Sequence, residues 1–317
     1  MRWNHIKTVT ICLLLLVNAW LIFLLAERHI ERTYPDPDVL QNTVEILARD
    51  GIFLTADQLN QAHPAADIYA AVLQEDYYEA AAALFSASPI DNVFPTPRGV
   101  RILTKAGDSL SFGSDYSVSY LRSGENRGDM ANLTEQISTR GEKLSPSSMK
   151  LRKIRQSLKD LLEAYVGSGG TVAVGTRLTF DEIYGMGDHY LVRCSQTVDG
   201  RPLLNHRVSV VCSSDGELLY LDGTWSFLSL VRNYSAPLYD RINILFIEKD
   251  TVAEIRAEGG AADTLTLESL TLCYVPASAA EGDDGERAVY FSPAWRIAYT
   301  DGTVRVYHGI TGQLIVK

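Results

Sequence analysis

The chain has 317 residues, 46% of them hydrophobic, with 9 Phe, 16 Tyr and 4 Trp, which is material for packed domains rather than disorder. Its formal net charge of −10 argues against nucleic acid as a partner and against attraction to anionic lipid headgroups. The cysteines, Cys12, Cys194, Cys212 and Cys273, lack CxxC spacing, which sets aside the usual zinc and redox motifs and favours buried reduced thiols.

In chain order the first feature is Thr8–Ala26, TVTICLLLLVNAWLIFLLA, an uncharged run whose one strongly polar interior residue is Asn18. At about 1.5 Å per helical residue it matches a hydrocarbon core of about 30 Å, so residues 8–26 are expected to form a transmembrane helix embedded in the membrane. Its length, and Leu24 where a cleavage site wants a small residue, favour an anchor over a cleaved signal. Residues 1–7 are then a cytoplasmic N-terminus and 27–36 a linker. The Lys/Arg count is tied, Arg2 and Lys7 against Arg28 and Arg32, and the α-amino group tips the N-terminus inward.

Residues 37–145 read as an N-terminal α+β lobe and 146–317 as a C-terminal one. Asp38–Asp50 is expected to be helical, with Leu40, Val44 and Leu47 on one face and Gly51 as a left-handed cap, before a brief strand at Ile52–Leu54. Alanine-rich Asp67–Phe85 reads as a second helix. Gly99–Thr104, Ser109–Gly113 and Tyr116–Leu121 read as strands, and polar Ser123–Ser148 as a long loop or the boundary between two halves.

Leu151–Val166 carries the clearest amphipathic stripe: Leu151, Ile154, Leu158, Leu161, Leu162 and Tyr165. Ser147 or Ser148 opens it and Gly167–Gly170 stops it. The stripe should cover a sheet, leaving Arg152, Arg155 and Lys159 on a solvated face. That sheet is expected at Tyr190–Val198, Leu203–Ser213 and Glu217–Trp225, joined by Asp199-Gly200 and Asp215-Gly216, the chemistry of type I′ turns. Alternation puts Val192, Cys194, Val208, Val210 and Cys212 on one face. A two-residue first turn sets Cys194 opposite Asn205 and Cys212 opposite Leu219, so the two cysteines do not pair. A helix at Leu238–Lys249 follows, then strands at Thr264–Val275, Ala288–Thr300 and Thr303–Tyr307. The last two flank Asp301-Gly302, and Gly309–Val316 closes the chain. The expected fold class is therefore α+β: one transmembrane helix, then antiparallel meanders each covered by helices in two similar lobes.

No HExxH, GxSxG, GxxxxGK[ST] or CxxC motif occurs. Gly167–Gly170 follows a helix instead of leading into one, so it is a stop signal and not a phosphate loop. His189 and His206, beside Asp188, come nearest to a site across the hairpin, and surface histidines are the simpler reading. Catalytic, cofactor-binding and metal residues are accordingly none, and the expected class is a non-enzyme.

Two stretches carry a resemblance. Within Tyr190–Trp225, VRCSQTVDGRPLLNHRVSVVCSSDGELLYLDGTW resembles the meander of propeptide and PepSY-like domains, with its Gln-x-x-x-Gly-x-Pro turn. The C-terminal PAWRIAYTDGTVRVYHGITGQLIVK ends on a similar pattern. With NTVEILARDGIFLT and the N-terminal run, the whole chain is similar to the YycI/YycH regulatory proteins of low-GC Gram-positive bacteria. That resemblance implies an extracytoplasmic domain that modulates a WalK-type sensor histidine kinase controlling cell-wall metabolism. It also implies contact made substantially through the transmembrane helix, with a YycH-like protein as a possible further partner and no cofactor. Asp199, Gly200, Pro202, Asp215, Gly216, Asp301, Gly302 and Gly312 then serve as structural turns. Within the span, the Asn18 amide is costly in lipid unless it bonds another helix, so Asn18 and Trp20 are the expected partner contacts. The alternative is a propeptide-like inhibitor or chaperone of an exported hydrolase.

Overall fold

In the computed structural model the described residues are 14–18, 20–21, 35–60, 66–72, 82, 85–86, 88–148, 151–163, 177–226, 230–259, 264–276, 280–281 and 287–316. The chain opens with helix α1 (Pro37–Arg49), strand β1 (Ile52–Phe53), the single turn α2 (Ala56–Leu59) and strand β2 (Ala66–Val72). Strands β3 (Ile90–Thr96), β4 (Gly99–Thr104), β5 (Ser109–Gly113) and β6 (Ser117–Leu121) follow, then helix α3 (Arg127–Arg140), β7 (Glu142–Leu144) and helix α4 (Arg152–Leu162). The long strands are β8 (Arg177–Met186), β9 (His189–Val198) and β10 (Arg201–Ser213), followed by β11 (Leu218–Thr224) and β12 (Leu230–Ala236). Helix α5 (Arg241–Ala257) leads to β13 (Leu265–Pro276), β14 (Ala280–Glu281), β15 (Arg287–Tyr299), β16 (Val304–His308) and β17 (Leu314–Val316).

These elements pack as two compact units. Unit 1 takes the described residues of Met1–Ala66, Pro237–Thr271 and Trp295–Lys317, and unit 2 those of Asp67–Ala236 and Leu272–Ala294.

In unit 2, β7, β8, β9, β10, β11, β6, β5, β4 and β3 pair in that order, every neighbour antiparallel. One face is the apolar face that alternation predicts. Val192, Cys194, Val208, Val210 and Cys212 are all buried on it, with Cys194 opposite Val208 and Val192 opposite Val210. Helix α4 supplies a matching stripe, since Leu151, Ile154, Leu158 and Leu162 are buried, and the Trp225 indole N–H donates to the Leu162 carbonyl at 3.2 Å. Among the described residues the other face is covered at one end. There Met130 and Ile137 of α3 pack on Leu191, Val211, Leu219 and Tyr220.

In unit 1, α1 buries Leu40, Thr43 and Leu47 and stops at Gly51, whose φ of 75° is the left-handed cap its sequence position predicts. β1 runs parallel to the start of β13, with Ile52 opposite Leu265. Helix α5 begins at Asp240, whose carboxylate accepts from the Asn243 N–H at 2.8 Å, and buries Ile244, Leu245, Val252 and Ile255.

The expected fold class is corrected. The described residues are mixed and strand-rich, with a large sheet, rather than one transmembrane helix followed by two similar lobes. Among the described residues no helix is long and apolar enough to cross a membrane. Of the expected span, Leu14–Asn18, Trp20 and Leu21 are helical and exposed; the rest of it, residues 1–7 and most of the linker lie outside the described residues.

Local differences have local causes. The expected helix from Asp67 begins instead as strand β2, whose Tyr69 pairs with Phe291 of β15. Of its remainder only Ala82 and Phe85 are described, both helical. The expected loop at Ser123–Ser148 holds α3, whose sparse stripe of Met130, Leu133 and Ile137 suffices because Asn126 caps it, accepting from the Gly128 N–H at 2.8 Å. Helix α4 starts at Arg152 without a side-chain cap, and the Gly167–Gly170 stop lies outside the described residues.

The hairpin registers also differ. Asp199 and Gly200, at φ 49° and 72°, form the expected type I′ turn with Val198 opposite Arg201. β10 then bulges between Pro202 and Arg207, so Cys194 meets Val208 and not Asn205. A second irregularity after Val211 places Cys212 opposite Leu218, not Leu219. At Asp215-Gly216 only Gly216 has positive φ, 87°, and it donates to the Ser213 carbonyl at 3.0 Å while Ser213 donates to Glu217 at 2.9 Å. This is a three-residue loop closed by a left-handed glycine, and Thr300-Asp301-Gly302 repeats it between Tyr299 and Thr303.

Candidate functional site

The half of the unit 2 sheet face that α3 leaves open carries a row of polar side chains. Glu182 on β8 lies opposite Arg193 on β9, Arg193 opposite Ser209 on β10, Ser209 opposite Asp222 on β11, and Asp222 opposite Ser119 on β6. Direct cross-strand neighbours stand about 4.5–5.5 Å apart at Cβ, so these groups form a continuous polar floor. Strand periodicity produces it: the same strands that send Val192, Val210 and Leu221 to the core send Arg193, Ser209 and Asp222 to the opposite face. A cleft of about 700 Å³ opens here, bounded by Asp181, Glu182, Arg193, Arg207, Ser209 and Asp222.

Two parts of the floor are internally satisfied. Glu182 accepts from the Lys143 ammonium at 3.0 Å and from the Arg193 guanidinium at 2.9 Å, and these two bonds hold its carboxyl below the usual range. Arg193 also donates to the Ser138 hydroxyl of α3 at 2.8 Å, which ties the helix to the edge of the cleft. Asp181, displaced by a bulge between Phe180 and Glu182, accepts from the Ser195 hydroxyl at 2.9 Å. On the far side Asp222 sees Arg127 at 3.5 Å, and desolvation raises its carboxyl while Arg127 works against that rise. Gly223 is required beside it: at φ 149°, a Cβ there would stand 2.2 Å from the Arg207 carbonyl oxygen.

The Ser195–Asp181 pair carries no imidazole to take the hydroxyl proton. Cys194 and Cys212 are buried free thiols; burial pushes Cys212 up to about 12 and Cys194 well up, so both stay protonated and unreactive. Among the described residues no three metal-ligating side chains come together.

The two histidines do not meet, and the surface reading fails for His206. His189 pairs with Ser213 at the strand end, whereas His206 is 2% exposed inside the β10 bulge, between Tyr116 and Phe291 at ring distances of 5.5 and 5.7 Å. Desolvation lowers its pKa, and its Nδ1 lies 3.2 Å from the Leu204 carbonyl. The remaining turn residues hold their places: Pro202 lies in β10 opposite Thr197, and Gly312, at φ 70°, donates to the His308 carbonyl at 2.8 Å. Asn18 and Trp20 lie on the exposed helical residues, Trp20 at 62% exposure, remote in sequence from the cleft.

A second charged cluster, in unit 1, escaped sequence reading. Glu248 of α5 is fully buried and accepts from the Tyr299 hydroxyl at 2.6 Å, from Arg305 at 2.5 Å and from the Tyr307 hydroxyl. Burial, then the carboxylate, drives both tyrosine hydroxyls upward. Its signal was a carboxylate on the buried stripe Ile244, Leu245, Val252 and Ile255. Compared with known proteins, the chain matches no family model and no curated protein.

Proposed function

We propose that this chain is a non-enzymatic regulatory protein of the cell envelope that modulates a sensor histidine kinase governing cell-wall metabolism by protein–protein contact. Its similarity to the YycI/YycH regulators supports the reading. The observation that carries it is the apolar helical surface at Leu14–Val17, Trp20 and Leu21, where Leu14, Leu15, Leu16 and Trp20 are 56–71% exposed. Apolar side chains presented outward in series want a lipid or protein cover. Held at the membrane by these N-terminal residues, the bulk of the chain lies outside the cytoplasm. The regulator needs no catalysis, only different affinities for two states of the kinase.

The test is isolation of the tagged full-length chain from membranes. A histidine kinase should accompany it, and Asn18→Leu should reduce that association. Co-isolation of an exported hydrolase without any kinase would favour the inhibitor or chaperone alternative and overturn this one.

A further inference from the structure

The cleft of unit 2 holds charged and polar side chains that make no hydrogen bond among the described residues. Glu182, Arg193 and Asp181 are bonded to neighbours. In contrast, the side chains of Arg207, Ser209 and Asp222 make no hydrogen bond among the described residues; the nearest cation to Asp222 is Arg127, at 3.5 Å with both side chains more than half exposed. Arg207 and Asp222 lie on adjacent strands of one face. Ser209 is directly opposite Asp222, and Arg207 is two residues before Ser209. Diagonal neighbours of that kind stand about 7–8 Å apart at Cα. A cation with no hydrogen bond among the described residues and an anion whose ion-pair partner is the exposed Arg127 thus flank the Ser209 hydroxyl in about 700 Å³ of space.

This arrangement selects by charge. A simple anion drawn to Arg207 meets Asp181, Glu182 and Asp222, and a simple cation drawn to Asp222 meets Arg193 and Arg207. A molecule carrying both charges a few ångströms apart satisfies both ends. Ammonium and carboxylate on one carbon can each hydrogen-bond, at about 2.9 Å, to long side chains that rise from diagonal positions on one sheet face. We propose that the cleft binds a free α-amino acid as its zwitterion, with the carboxylate on the Arg207 guanidinium, the ammonium on the Asp222 carboxylate and the Ser209 hydroxyl between them. This ligand site goes beyond the regulatory reading and stands without it.

The experiment is calorimetric titration of the full-length chain with each standard amino acid in turn. At least one should bind saturably, and its N-acetyl and carboxamide derivatives, each lacking one charge, should bind at least about tenfold more weakly. Arg207→Gln and Asp222→Asn should each weaken that binding about tenfold at an unchanged unliganded melting temperature. Arg101→Gln, on the exposed side of β4, should bind as the parent does. No saturable amino acid would overturn the proposal, as would an N-acetyl derivative binding as tightly as the parent amino acid. If both cleft variants lose melting temperature, the derivative series on the unmodified chain decides.

Discussion

Glu248 in unit 1 and the charged row of unit 2 draw on the same residue types in opposite settings. Glu248 is fully buried, and an arginine and two tyrosine hydroxyls answer its oxygens. The row on unit 2 is half-exposed; part of it is paired, while Arg207 and Asp222 keep hydrogen-bonding capacity open. Desolvation explains the contrast. A carboxylate taken out of water must be fully paired by its own fold, whereas water supports an unpaired charge on an open sheet face until a ligand replaces it. Charge buried in a core therefore reports on stability, and charge left unspent on a concave face reports on binding.

The sharpest way to break this contrast is Glu248→Gln. It keeps the shape but leaves Arg305 buried without a carboxylate, and urea unfolding should show a loss of about 3–5 kcal/mol. A loss under about 1 kcal/mol would mean that the cluster is not what holds unit 1. Next comes Gly223→Ala, which forces a Cβ against the Arg207 carbonyl between β10 and β11. It should cost about 1–3 kcal/mol by the same measurement and also distort the cleft.

A smaller effect belongs to His206. Burial holds its pKa below the ordinary 6.5, so its contribution to stability is complete above that value and declines as pH falls beneath it toward the lowered folded value. Melting temperature should drop between pH 7 and pH 5, and His206→Phe should shrink the drop. An equal drop in the variant would assign the pH dependence elsewhere. The smallest effect is Asp222→Asn, expected to change unfolding free energy by less than about 0.5 kcal/mol, because a half-exposed surface charge does little for the fold. A large loss would move Asp222 from the binding side of the comparison to the structural side.

Local chemistry made much of unit 2 legible. Alternation exposed β9 to β11 and their buried face, Asp199-Gly200 signalled its turn, and the leucine stripe of α4 announced a sheet beneath it. What depended on distant partners was hidden. Asp67–Val72, which opens the Ala-rich stretch, suits a helix by propensity, and pairing with β15 makes it a strand. Helix α3 has three anchors in a polar run, too few to see without the sheet that receives them. The β10 bulge, with Asn205 at φ 64°, moved the register and turned His206 inward. The cleft was invisible for the same reason, since its floor joins residues from five strands and exists only once the register is set.

The central claim is that the N-terminal apolar surface meets a kinase, and a photo-crosslinking amino acid in place of Trp20 in the full-length chain tests it most directly. Irradiation of membranes should give a covalent adduct containing a sensor histidine kinase, diminished when Asn18→Leu is combined with it. Adducts formed with lipid alone, at normal abundance of the chain, would contradict the account.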